Sequence, residues 1–165
     1  MRLPAIGALL LALGASACGF RLAGSEKLPD TLKKPYLSIK DPYTDFAREL
    51  EHQLKGSGAL LQPAREGSTA VIDVTRDQVQ VTTLSVSARN IPTEYELIYT
   101  VVFAVRGTAP DKQLLAPQTL TLSRDYSFNE NELLAKEHES DILRRQMARD
   151  LAGIAVRRLA SLKSP

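Results

Sequence analysis

Apolar residues along this chain change period several times, and each change marks an element. Tyr36-Leu37-Ser38-Ile39 alternates briefly between Pro35 and Pro42 and reads as a short strand. Asp41-Pro42 carries a helix-start signal, an N-cap aspartate followed by a proline whose φ is preset for the first turn. Phe46, Leu50 and Leu54 follow at four-residue spacing and give a helix one apolar stripe. Gly56-Ser57-Gly58 ends it with a glycine suited to a left-handed cap. From Ala70 the period falls to two. Ile72 and Val74 share one parity, Val79 and Val81 take the other, and Leu84 and Val86 return to the first. A strand whose apolar side switches twice needs two β-bulges or a break into shorter strands.

Arg89-Asn90-Ile91-Pro92 reads as a turn into the next strand, where Tyr95, Leu97, Tyr99, Val101, Phe103 and Val105 fill one parity without interruption. Ile98, Val102 and Ala104 make its other side partly apolar too, as in a central strand covered on both faces. After a turn at Gly107 to Lys112, Leu114 to Phe128 forms a third long strand with Leu120, Leu122, Tyr126 and Phe128 on one side. A long helix is expected from Asn131 to Leu162, its stripe made by Leu143, Met147, Leu151, Ala155, Leu159 and Leu162. Its acids (Glu137, Glu139, Asp141) come early and its bases (Arg157, Arg158, Lys163) late, which complements the helix dipole. The order β-α-β-β-β-α predicts an α+β fold, a two-layer sandwich with a four-stranded mixed sheet and both helices packed on one face.

The N-terminus is different in kind. Ala5 to Leu13 is an apolar run of signal-peptide length behind the single charge of Arg2, and it is too short to span a bilayer. Gly14-Ala15-Ser16-Ala17 then leads into Cys18, the only cysteine of the chain. An ordinary secreted protein would leave Cys18 as an unpaired thiol in an oxidising compartment. The placement resembles instead a bacterial lipobox, with Ala15 where the pattern usually has leucine. The expected organisation is a lipoprotein signal peptide over 1–17, a lipidated tether over 18–34, and a single domain over 35–165. The resemblance implies an N-acyl and S-diacylglycerol modified Cys18, and Gly19 after it implies an outer-membrane address.

Composition narrows the function by exclusion. Removal of residues 1–17 leaves 148 residues, enough for one core. The net charge of +2 gives no basic field for nucleic acid. His138 sits between Glu137 and Glu139, a common solvated helix pattern, and His52 has no ligand-spaced neighbour. Asp73 and Asp77 share a strand without a nucleophile, and no hydrolase, metalloprotease, phosphate-loop or dinucleotide motif occurs. The expectation is a protein that is not an enzyme, holds no metal and needs no cofactor beyond the covalent lipid.

Three short stretches carry a family resemblance: Cys18-Gly19-Phe20-Arg21-Leu22, Arg89-Asn90 followed by Glu94-Tyr95-Glu96-Leu97, and Leu134-Ala135-Lys136-Glu137 leading to Asp141-Ile142. With the element order, they resemble the LptE family across the mature chain. The resemblance implies a lipoprotein subunit of the outer-membrane lipopolysaccharide translocon. It would bind lipopolysaccharide and support the LptD-like β-barrel that encloses it, facing the periplasm or the barrel lumen. Arg89 and Lys136 match the positions to which the family assigns lipopolysaccharide binding. Their chemistry suits lipid A phosphates, since Arg offers a planar donor fork and Lys a compact charge. If the sheet face away from the helices is partly apolar, it should meet a partner, with Tyr43, Tyr126 and Phe128 as candidate anchors. The alternative is a generic envelope lipoprotein that binds a soluble ligand or periplasmic partner.

Overall fold

The computed structural model describes residues 27–109, 111–127 and 133–162, without the side chains of 133–137. Its elements run β1 (Pro35–Ile39), α1 (Asp45–Gly56), β2 (Ala70–Val86), β3 (Pro92–Gly107), β4 (Gln113–Ser127) and α2 (Leu133–Ala160). The sheet order is β1-β2-β3-β4. β1 is parallel to β2, while β2, β3 and β4 form an antiparallel meander. The mixed sheet and the β-α-β-β-β-α order are those expected from the sequence.

One sheet face meets both helices. Leu97, Tyr99, Val101, Phe103 and Val105 of β3 are buried with Phe46, Leu50 and Leu54 of α1 and Met147, Leu151, Ala155 and Leu159 of α2. Each large apolar side chain buried there stabilises the fold by about 1.5–3 kcal/mol. The helices are also pinned by charge. Asp45 bridges Arg48 at 2.7 Å and Arg144 of α2 at 2.8 Å.

The core begins earlier than the strand pattern indicates. The sequence assigns residues 18–34 to a tether, yet Leu28 and Leu32 are buried in the core, with a 3-10 turn at Asp30–Leu32 between them. Two isolated leucines show no period, so their burial is invisible in the pattern.

The start of α1 also differs from expectation. Asp41 accepts a hydrogen bond from the Tyr43 amide, a local turn that spends its capping oxygen before the helix begins. Thr44 is the N-cap instead, its hydroxyl accepting from the Ala47 amide at 3.1 Å. At the other end Gly58 adopts φ +88°, and the Ala59 and Gly58 amides donate to the Leu54 and Lys55 carbonyls. This is a Schellman cap, with buried Ala59 packed near buried Leu54.

The parity switches of β2 correspond to two interruptions in its register with β3. Thr75 is skipped between Val74↔Phe103 and Arg76↔Val102, and Leu84 is skipped between Thr83↔Tyr95 and Ser85↔Glu94. Between them, Arg76 to Thr83 runs in unbroken register. β1 covers the neighbouring edge of β2 only from Ala70 to Val74.

Candidate ligand and partner sites at one end of the sheet

The β2–β3 connection is built to present a side chain. The Asn90 amide donates to the Ser87 carbonyl, the Ser87 amide to the Ile91 carbonyl, and the Ile91 amide to the Ser87 hydroxyl. Asn90 takes φ +61°, a left-handed conformation that asparagine tolerates better than most residues. These bonds close a compact turn in which Arg89 is exposed at the tip.

Lys136 lies in the first turn of α2, and its side chain falls outside the described residues. The backbone still relates the two positions. Glu94 pairs with Ser127, five residues after Arg89 and six before the start of α2. The turn carrying Arg89 and the first turn of α2 therefore stand at the same end of the sheet. Cys18 lies outside the described residues, as do Phe128 and Lys163.

The bulge at Thr75 separates two carboxylates that share parity in the sequence. Asp73 pairs with Ala104 on the open face, whereas Asp77 pairs with Val101 on the helix face. They form no dyad. Asp77 is instead tied to the capping machinery of α1: the Thr44 hydroxyl donates to Asp77 Oδ2 at 2.5 Å while also capping Ala47. The buried Tyr99 phenol lies beside the same carboxylate, both lining one cleft. Burial, then the charge and hydrogen bond of Asp77, push its ionisation well above the ordinary phenol range. Sequence reading missed this Thr44–Asp77–Tyr99 cluster; the parity switch at Thr75 was its only trace.

The face away from the helices is more polar than the sequence suggests. Ile98 and Val102 are half-exposed on it, among Thr100, Gln80, Thr119 and Ser123. Of the expected anchors, Tyr43 is 81% exposed. Tyr126 is no anchor: it is buried on the helix side and stacked on Tyr95 with ring centroids 5.4 Å apart. Alternation cannot say which of two faces the helices will cover.

His52 and His138 are both exposed. Among the described residues no group of three or more His, Cys, Asp or Glu is placed to hold a metal ion. No helix among them is long and apolar enough to cross a membrane.

Comparison with known proteins converges on one family. The family described as "LptE: Lipopolysaccharide-assembly" matches residues 32–159. The LPS-assembly lipoprotein LptE of Yersinia enterocolitica is 30% identical over 152 residues, 91% of this chain and 72% of that protein. Its counterpart from Yersinia pestis is 27% identical over 154 residues, 93% of this chain and 73% of that protein. The crystal structure of rare lipoprotein B from Shewanella oneidensis superposes with a TM-score of 0.66 at 29% identity, covering 78% of this chain and 94% of that one. A lipoprotein B from Nitrosomonas europaea, at 24% identity, shares the fold with a TM-score of 0.70 over 87% of this chain and 91% of its own. With a match running from Leu32 in the first buried turn to Leu159 in the last turn of α2, this chain belongs to the LptE lipopolysaccharide-assembly family.

Proposed function

We propose that this protein is a non-enzymatic, outer-membrane lipoprotein, anchored through lipidated Cys18, that binds lipopolysaccharide and supports an LptD-like β-barrel in delivering it to the outer leaflet. The observation that carries the ligand site is the shared position of the Arg89 turn and the first turn of α2 at one end of the sheet. Two cations there, one on a turn and one on a helix, suit the separated phosphates of lipid A. The turn holds its conformation through its own backbone bonds and presents the exposed Arg89 side chain at its tip, where loops place ligand-binding groups.

The test is the double variant Arg89→Asp/Lys136→Asp. Its affinity for purified lipopolysaccharide should fall by roughly tenfold or more, as expected when two charge-assisted contacts become repulsive. Its melting temperature and far-ultraviolet circular dichroism should stay close to those of the parent. Unchanged affinity would remove both residues from the site. Recovery of the protein from solubilised outer membrane without any barrel would overturn the partner assignment.

A further inference from the structure

The sheet has two edges that are protected and one stretch that is not. Along the outer side of β1, the Leu60 amide bonds the Lys33 carbonyl and the Gln62 amide bonds the Pro35 carbonyl, so a loop covers that edge. β4, the far edge, carries Pro117, Arg124 and Asp125, residue types that resist pairing with a stray strand. β2 beyond Val74 has lost the cover of β1, and after Arg76 and Asp77 it carries no charge or proline up to Val86. From Arg76 to Thr83 it runs eight residues in unbroken register with β3, while its other side has lost β1. The sequence Gln78-Val79-Gln80-Val81-Thr82-Thr83 contains no charge, no proline and no glycine. An uncharged, β-branched stretch of edge such as Gln78–Thr83 is what soluble proteins avoid unless something pairs with it.

From this, and resting on the barrel partnership proposed above, we infer that Arg76–Thr83 is a strand-addition site for an extended segment of the barrel chain. The side chains define what that segment must be. Val79 and Val81 project on the helix side, 36% and 54% exposed, and a cleft of about 370 Å³ beside Val79 is walled by Tyr43. Gln78, Gln80 and Thr82 project on the other side. The added strand therefore places apolar residues at alternate positions toward Val79, Val81 and Tyr43, and hydroxyl or amide residues on the opposite side. Its main chain takes up the ladder that β1 leaves. A second copy of this chain fits less well. Antiparallel self-pairing of 76–86 drives the Ser87–Ile91 turn of each copy against the end of the other's β1.

The test is amide hydrogen exchange on the full-length protein, free and in complex with the barrel co-purified from outer membrane. In the complex, alternate amides between Arg76 and Thr83 should exchange at least about tenfold more slowly than in the free chain. The variant Val81→Lys/Thr83→Lys should weaken the complex by roughly tenfold while shifting the melting temperature of the free chain by only about 2 °C. The control Thr119→Lys/Thr121→Lys, on the open face of β4, should do neither. Recovery of the barrel with no new protection at 76–83 overturns the strand addition alone. Recovery of no barrel overturns it together with the proposed function. Protection that grows with concentration in the free chain assigns the edge to a second copy and refutes the proposal.

Discussion

The Thr44–Asp77–Tyr99 cluster can be tested by a double-mutant cycle. Tyr99 is only 2% exposed, and its hydroxyl sits beside the Asp77 carboxylate, which holds it protonated. Asp77→Ala removes the acceptor beside that buried hydroxyl, which costs about 1–3 kcal/mol. The Thr44 hydroxyl loses an acceptor too, yet it keeps its cap on the Ala47 amide, so α1 should remain intact. Tyr99→Phe removes the donor and leaves Asp77 bonded to Thr44 at the lip of a cleft, which costs only about 0.5–1.5 kcal/mol. In the double variant no buried group is orphaned. Its cost should therefore lie near that of Asp77→Ala alone and below the sum of the singles, with a coupling of about 1 kcal/mol. Urea midpoints followed by circular dichroism, at constant m-value, measure all three. Additivity to within about 0.3 kcal/mol would refute the cluster as a coupled unit. The pH dependence gives a second reading. Because the folded phenol ionises at higher pH than the unfolded one, its contribution is complete below about pH 10 and is lost as pH rises beyond it. Above that pH the parent should lose stability more steeply than Tyr99→Phe, by up to about 1.4 kcal/mol per pH unit.

Two further substitutions probe other parts of the fold. Leu32→Ala should cost about 2–5 kcal/mol in chemical denaturation, because Leu32 is fully buried; a cost of a few tenths would return that residue to the tether. Gly153→Ala should raise the melting temperature by a few degrees. A Cβ there meets only the mobile ends of Arg157 and Gln53, at 3.3 and 3.5 Å, while alanine gains about 0.5–1 kcal/mol over glycine inside a helix; a lower melting temperature would mean that the Gln53 contact with α2 cannot adjust.

The elements with sustained periods were legible in the sequence. The stripe Phe46, Leu50, Leu54 and the uninterrupted parity of β3 fixed which residues face the core, since six or more alternating positions leave one consistent face. The two parity switches of β2 were legible as well, because an inserted residue leaves a mark on every side chain after it. What was hidden depended on distance in the chain or on competition between short signals. Leu28 and Leu32 are placed by contacts with remote elements. Asp41 looked like a cap but was drawn into a turn one hydrogen bond earlier. Tyr126 looked like an exposed anchor because alternation names two faces without ranking them. Of the candidate site, the turn at Arg89 was readable from Asn90, whereas its alignment with the start of α2 follows only from the pairing of Glu94 with Ser127.

The extra residue at Thr75 has an evolutionary reading. Its side chain is exposed and its hydroxyl reaches the Val102 carbonyl at 3.4 Å, so exchange for serine or alanine disturbs little. Its presence as one more unit of length is another matter. Deleting it would restore a regular ladder and rotate everything from Arg76 onward by half a turn, carrying Asp77 away from Thr44 and Tyr99 and Val79 and Val81 away from the helix side. Position 75 thus works as a reading frame for the second half of the strand, tolerant of spelling and intolerant of a missing letter.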